Sequence, residues 1–197
     1  MKEKLKNQLH FLAACDALKS VERQTLLLDK SRQENSAEHS WHSALTALTM
    51  LEYCVLEDVD INRVLKMIIV HDLVEIYAGD TPAMDKNAQA GKEERELAAA
   101  DKLFGLLPPE QSSQFRMLWE EFEAQCSADA KYAAAIDCFQ SFHNNFKNKG
   151  MGAWKKYSAT AEMILKRNRP IKQAMPALWF LVEQAIEDGI EGGWIKA

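Results

Sequence analysis

The sequence has few helix-breaking residues and no long apolar run. Only 8 glycines and 5 prolines occur in 197 residues, and no alternating apolar–polar stretch is long enough to predict a sheet. The longest strongly apolar run, at 67–70, is far too short to cross a bilayer. The charged N-terminus lacks the long apolar stretch of a signal peptide. We therefore expect a helical, cytoplasmic protein without a membrane segment.

Cysteine pairs and a basic charge excess are also missing. The four cysteines form no C-x-x-C pair, which argues against a zinc ribbon or a redox motif and favours reduced, buried thiols. The net charge of -5 lacks the basic excess that binding to a nucleic-acid polymer needs. With 47% hydrophobic residues, the chain is long enough for one substantial core. We expect a single domain that binds a small molecule.

Helix-period patterns recur along the chain instead. They predict helices at about 3–19, 36–56, 61–77, 92–106, 109–125, 127–148, 160–168 and 173–188. Ser36 and Ser127 are candidate N-caps, and Gly79 ends the third helix. The connections are short, which favours a compact all-α bundle with short extra helices at its C-terminal end.

The third predicted helix carries ionisable residues within a very apolar stretch. His71, Asp72 and Glu75 crowd one sector of this helix because they lie three or four residues apart. Buried carboxylates are costly without a partner, and that partner is either a divalent cation or a buried Arg or Lys. The spacing alone does not choose between the two.

Two other helices offer comparable residues. His39 lies at the start of the second helix, where a histidine is more often a cap or a satisfied core residue than a ligand. Asp137 lies in a small-residue, apolar part of the sixth helix, and by itself it is most simply an exposed helix position. Taken together, two imidazoles and two carboxylates suit Mn, Co, Ni, Fe or Zn better than Ca or Mg, and leave positions open for water and substrate.

The order of these residues resembles the H…HD…D signature of the HD-domain phosphohydrolases. The stretches 32–40 and 71–80 resemble the HD-domain 5'-deoxynucleotidases in particular, and 92–110 and 118–123 have the same character. The resemblance covers about 8–145, so we expect a single HD domain at 1–197, with its core at about 8–145 and a C-terminal helical extension at about 150–197. A bare HD dipeptide is a weak signal, whereas the full H…HDxxE…GD…D order is specific.

The resemblance implies one divalent metal, bound by His39, His71, Asp72 and Asp137. It further implies that Glu75 and Asp80 position or protonate groups around the attacking water and the leaving group, and that Arg23 lies near the phosphate. Family members often place Trp after this arginine, where this chain has Gln24, which leaves the sugar preference open.

The implied reaction is hydrolysis of a (deoxy)nucleoside 5'-monophosphate to nucleoside and phosphate. Another phosphomonoester, a phosphodiester, or a regulatory module that binds metal and nucleotide without turnover are the alternatives. A homodimer is expected, as in other members of the family.

Several residues keep two interpretations. Glu38 either orients His39 or favours the positive end of its helix. Lys86 either reaches a phosphate or, more simply, is a solvated lysine. The segment 168–170 is either a helix-ending turn or the source of a basic group for a neighbouring site.

Overall fold

The computed structural model describes residues 1–85 and 87–197, so the phosphate contact considered for Lys86 lies outside the described residues. The α-helices are α1 (Lys2–Cys15), α2 (Ser36–Met50), α3 (Ile61–Val70), α4 (Glu75–Ala78), α5 (Lys92–Phe104), α6 (Pro109–Ala124), α7 (Ala128–Lys147), α8 (Ala153–Lys156), α9 (Ala161–Arg167), α10 (Arg169–Ala174) and α11 (Trp179–Glu191). Short 3₁₀ helices lie at Asp16–Ser20, Leu51–Tyr53, His71–Val74 and Pro176–Leu178. The predicted all-α bundle is confirmed.

The third predicted helix is not continuous. It changes from α to 3₁₀ geometry at His71 and returns to α geometry at Glu75. The Nδ1 atom of His71 lies 2.7 Å from the carbonyl oxygen of Ile68 and occupies an acceptor at the end of α3. A 3₁₀ stretch within a helix often marks a functional position. The predicted end at Gly79 is confirmed, with a φ of 77° that suits glycine.

A small antiparallel sheet was not predicted. Strands β1 (Glu22–Leu26) and β2 (Gln33–Asn35) pair with Glu22 opposite Asn35. The expectation of no sheet was wrong because these strands are short and polar, so they lack the alternation that reveals a longer strand. The hairpin matters because it carries Arg23 and Glu34 to the base of α2.

Helix α7 forms the centre of the bundle and packs against α2, α3, α6 and α10. Its middle contains three consecutive alanines, Ala133 to Ala135, none more than 3% exposed. Small side chains let neighbouring helices approach closely, and a helix buried on all sides holds Asp137 in the interior. The side chain of Asp137 is therefore not at the ordinary exposed helix position that its neighbourhood alone suggested.

The cap of α2 lies one residue earlier than predicted. Asn35 accepts a hydrogen bond from the Glu38 backbone N–H at 2.9 Å, and the Glu38 side chain accepts one from the Asn35 N–H at 3.2 Å, which completes a capping box. The Ser36 hydroxyl is thereby free to donate to the carboxylate of Glu75. The prediction of Ser127 as the cap of α7 is confirmed.

The C-terminal helices pack onto the core. Ile164 and Ile171 are fully buried there, and Trp154 stacks on Trp194. Among the cysteines, Cys138 is buried but Cys126 is exposed, so the expectation of buried thiols does not hold for Cys126. Across the described residues, no helix is both long enough and apolar enough to cross a membrane.

Candidate active site

The four predicted metal ligands converge from separate elements. His39 comes from α2, His71 and Asp72 from the 3₁₀ helix after α3, and Asp137 from α7. His39, His71 and Asp72 each offer a ligand atom within 4.8 Å of the others. Asp137 approaches this group through its Oδ1 atom, which lies 3.0 Å from His39 Nε2. None of the four is more than 9% exposed.

The imidazole of His71 has the orientation of a metal ligand. Its Nδ1 atom donates to the Ile68 carbonyl, which leaves the lone pair of the neutral ring on Nε2. This Nε2 atom is buried and has no hydrogen-bond partner among the described residues, although Asp72 Oδ1 lies 3.0 Å away. Two donor atoms bound at right angles to one cation at about 2.1 Å lie roughly 3 Å apart. The side chains therefore fit a divalent metal.

His39 is held from its other side. Its Nδ1 atom donates to Gln140 Oε1 at 2.7 Å, so Nε2 faces Asp137 and Asp72. Burial and the charge of Arg23 lower the pKa of His39, but hydrogen bonds to Asp137 and Glu34 outweigh them and raise the pKa to about 9. A proton on Nε2 thus occupies the position between His39 and Asp137 that suits a cation.

Each candidate carboxylate ligand also contacts an arginine. Arg23 Nη1 donates to Asp72 Oδ2 at 2.9 Å, and Arg167 Nη2 donates to Asp137 Oδ2 at 2.8 Å. Burial opposes ionisation of both acids, but the neighbouring cationic groups hold the pKa of Asp72 and of Asp137 below its usual range. Both carboxylates are ionised at neutral pH and available as ligands.

Glu75 and Asp80 lie beside this cluster in different surroundings. Glu75 is 8% exposed, and its Oε2 atom accepts a hydrogen bond from Ser36 Oγ at 2.6 Å. Burial, with the charge of Asp72 next, raises the pKa of Glu75 to about 8. Asp80 is only half-buried, and burial raises its pKa also. Both acids can carry a proton near neutral pH, which general acid–base work requires.

The cluster opens onto a cavity of about 850 Å³. Arg23, Gln24, Glu75 and Asp80 line it near the ligand set. The far side, called here the C-terminal wall, is lined by Trp154, Tyr157, Met163, Lys166, Arg167 and Pro170. A cavity of this size accommodates a small organic ligand, and the wall combines apolar surface with positive charge.

Some side chains at the site had no signal in the sequence. Gln140 accepts from His39 and donates to Glu34 Oε1 at 2.7 Å, while Arg167 pairs with Asp137. Glutamine and arginine are common on helix faces, and only the packing of α7 against its neighbours brings these two inward. The segment 168–170 supplies no group here, since the basic residue that lines the cavity is Arg167 and Arg169 is exposed. Glu38 caps α2 and pairs with Arg32, and Gln140 orients His39 instead.

A family model described as the HD domain matches residues 15–179. The chain belongs to the HD-domain family. The match includes all four candidate ligands of the HD-domain signature, and it extends past the C-terminal wall.

Solved and curated relatives agree with this assignment. An HD-domain chain from Magnetospirillum magnetotacticum, described as a predicted metal-dependent phosphohydrolase, is 41% identical with a TM-score of 0.90, covering 99% of this chain and 100% of that one. The 5'-deoxynucleotidase HDDC2 of Danio rerio is 32% identical over 134 residues, 66% of this chain and 64% of the relative. The chain thus covers slightly less than two thirds of that relative's length. A 5'-deoxynucleotidase of Pasteurella multocida is 30% identical over 167 residues, covering 80% of this chain and 84% of that protein.

Proposed function

We propose that the protein is a metal-dependent phosphohydrolase that converts deoxynucleoside 5'-monophosphates to nucleoside and phosphate. The observation that carries the proposal is the convergence of His39, His71, Asp72 and Asp137 at the base of an open cavity. The names of the relatives from Danio rerio and Pasteurella multocida support the substrate class. The Magnetospirillum relative, matched over its full length, supports metal-dependent phosphoester hydrolysis.

In this proposal, His39, His71, Asp72 and Asp137 hold one divalent metal. When bound, such a cation lowers the pKa of a coordinated water and offsets charge on the phosphoryl group. The mixed imidazole and carboxylate set favours Mn, Co, Ni, Fe or Zn. Gln140 keeps the proton of His39 on Nδ1, and the Ile68 carbonyl does the same for His71, so both Nε2 atoms face the metal position.

The remaining residues divide the work by their depth. Glu75 is fixed by Ser36 beside the ligand set, so it is placed to orient the attacking water. Asp80 follows the turn at Gly79 and faces the wider cavity, so it is placed to give a proton to the departing nucleoside oxygen. Arg23 supplies positive charge to the phosphoryl oxygens beside Asp72.

The test is phosphate release from ribo- and deoxyribonucleoside 5'-monophosphates. Metal-stripped protein receives Mn, Co, Ni, Fe, Zn or Mg in turn, with bound metal counted by mass spectrometry. Asp72→Ala should lose metal and lower activity by at least about a thousandfold, because it removes a ligand and leaves Arg23 unpaired. Asp188→Ala, at an exposed position of α11, is the matched control and should behave as the parent.

Two outcomes would redirect the proposal. Release from other phosphomonoesters or from phosphodiesters, but not from nucleotides, would keep the enzyme class and change the substrate. Metal and nucleotide binding without any release would favour a regulatory binding module. A homodimer and a cytoplasmic location remain predictions, and light scattering at several protein concentrations tests the first.

A further inference from the structure

Arg167 is the last residue of α9 and part of the C-terminal wall. Its Nη2 atom donates to Asp137 Oδ2 at 2.8 Å, while 36% of the side chain remains exposed to the cavity. A guanidinium carries five N–H donors in a flat fork that matches carboxylate and phosphate oxygens. Only part of this fork is occupied by Asp137.

Arg23 differs from Arg167 in this respect. Its side chain is 11% exposed, and it donates to Asp72 and to Ser141. Among the described residues, the Nε and Nη1 atoms of Arg167 have no comparable acceptor, and they border the cavity. Arg167 therefore has more donors free for a ligand than the arginine that the sequence suggested for the phosphate.

The two arginines approach the same carboxylate from different oxygens. Arg23 Nη2 lies 3.9 Å from Asp137 Oδ1, whereas Arg167 binds Oδ2. The guanidinium groups thus bracket Asp137 at the edge of the candidate metal position. A dianionic group bound in front of the ligand set would have one arginine on each side.

The backbone around Arg167 is firmly held. Ile164 is fully buried and Asn168 is 2% exposed, and Asn168 Nδ2 donates to the Ile164 carbonyl at 2.9 Å. The Cys138 thiol contacts the Arg167 carbonyl oxygen at 3.3 Å, which ties this turn to the residue after Asp137. A side chain that leaves such a fixed turn presents its charge at a defined place.

The start of α9 is fixed as well. The Ala161 N–H donates to the Lys196 carbonyl at 2.9 Å, and the Lys196 N–H donates to the Ala159 carbonyl at the same distance. The C-terminal tail therefore clamps the helix that carries Arg167. This arrangement makes the region after 150 part of the active site, beyond the packing role expected from the sequence.

We propose that Arg167 binds the phosphate of the substrate together with Arg23. The proposal rests on the proposed phosphohydrolase function and adds a phosphate-binding residue from the C-terminal wall. Charge on the phosphoryl oxygens is offset from two sides, and the planar fork of Arg167 fixes the orientation of the group. The competing explanation is that Arg167 only orients Asp137.

The test compares Arg167→Met and Arg167→Lys with Arg169→Met, which alters an exposed arginine two residues away. Inorganic phosphate is titrated calorimetrically into the metal-loaded protein, and metal content and thermal unfolding are measured in parallel. Arg167→Met should weaken phosphate binding by at least about tenfold, since a charge-assisted hydrogen bond is lost, with metal content retained. Arg167→Lys keeps the charge without the fork and should lose several-fold. Arg169→Met should bind as the parent.

The two explanations give opposite results. Phosphate binding within twofold of the parent in Arg167→Met would overturn the proposal, and so would a loss of metal content that accounts for the weaker binding. If Arg167→Met does not fold, parent-like phosphate binding by Arg167→Lys would overturn it. Phosphate binding needs no turnover, so an absence of nucleotide hydrolysis by the parent protein would count against the proposed function and leave this test intact.

Discussion

The ligand cluster and the C-terminal wall face each other across one cavity but are built differently. His39, His71, Asp72 and Asp137 are at most 9% exposed, and their charges are matched at close range by one another and by arginines. On the wall, Tyr157 and Lys166 extend from short helices and are half-buried or exposed. Substitutions in the cluster should therefore change metal binding and stability together, whereas substitutions near the wall should change ligand binding alone.

The largest effect is expected at Glu75, where the cluster holds a buried acid. Its folded pKa is about 8, against an ordinary value of 4.5, because burial and Asp72 disfavour the charge. Both the folded and the unfolded chain are protonated below pH 4.5. Between pH 4.5 and 8 only the folded chain keeps the proton, so the stabilisation due to Glu75 is lost as the pH rises through this window.

Glu75→Gln removes this titration. In metal-free protein, the free energy of unfolding of the variant relative to the parent should rise between pH 5 and 9 by a few kcal/mol, from about 1.4 kcal/mol per pKa unit. Urea unfolding at several pH values measures it. Glu94→Gln, at an exposed position of α5, should leave the profile unchanged. Parallel curves for parent and Glu75→Gln would mean that Glu75 is ionised in the folded protein.

A smaller effect is expected at Gln140, which supports the cluster without contacting the metal position. Gln140→Leu keeps the volume but removes the acceptor of His39 Nδ1 and the donor to Glu34. Metal affinity should fall by about 10- to 100-fold, as for other residues that orient a ligand. Competition with a chelator measures the affinity.

Gln184→Leu, at an exposed position of α11, is the matched control for this change. Unchanged affinity in Gln140→Leu would show that packing alone orients His39. Glu34 Oε2, which lies 3.6 Å from His39 Nδ1, would then be the remaining polar partner.

The same contrast separates what the sequence could predict from what it could not. His71 and Asp72 stand out because ionisable residues are rare within so apolar a stretch, and the order of His39 and Asp137 around them identifies the family. Arg167 has no such mark, since an arginine near a helix end is ordinary. Its role depends on how α10 packs against α7, a contact between segments distant in the sequence.

Local geometry explains the other differences. The change to 3₁₀ geometry at His71 depends on a side chain bonding to the Ile68 carbonyl, which no periodicity reveals. The hairpin of β1 and β2 is too short and polar for strand patterns, yet it places Arg23 and Glu34 against α7. Asn35 and Ser36 are both good caps, and the choice between them depends on Glu75, 39 residues from Ser36.

The smallest effect is expected at Gln24, where the cluster side and the wall meet. Gln24 lines the cavity next to Arg23, and its Oε1 atom accepts from Lys156 Nζ at 2.5 Å. Gln24→Trp restores the residue common in the family. It replaces a polar amide with an apolar surface, which disfavours a ribose 2'-hydroxyl. The ratio of kcat/KM for deoxyribo- over ribonucleotides should rise about fivefold or more.

Lys156→Met separates the side chain of Gln24 from its partner on α8. It removes the contact across the seam but keeps the amide, so the sugar ratio should change less than in Gln24→Trp. An equal change in both variants would place the sugar preference in the position of α8 rather than in residue 24. In that case the C-terminal segment, through Lys156 and Arg167, would govern both the sugar and the phosphate, while the ligand cluster would remain common to all substrates.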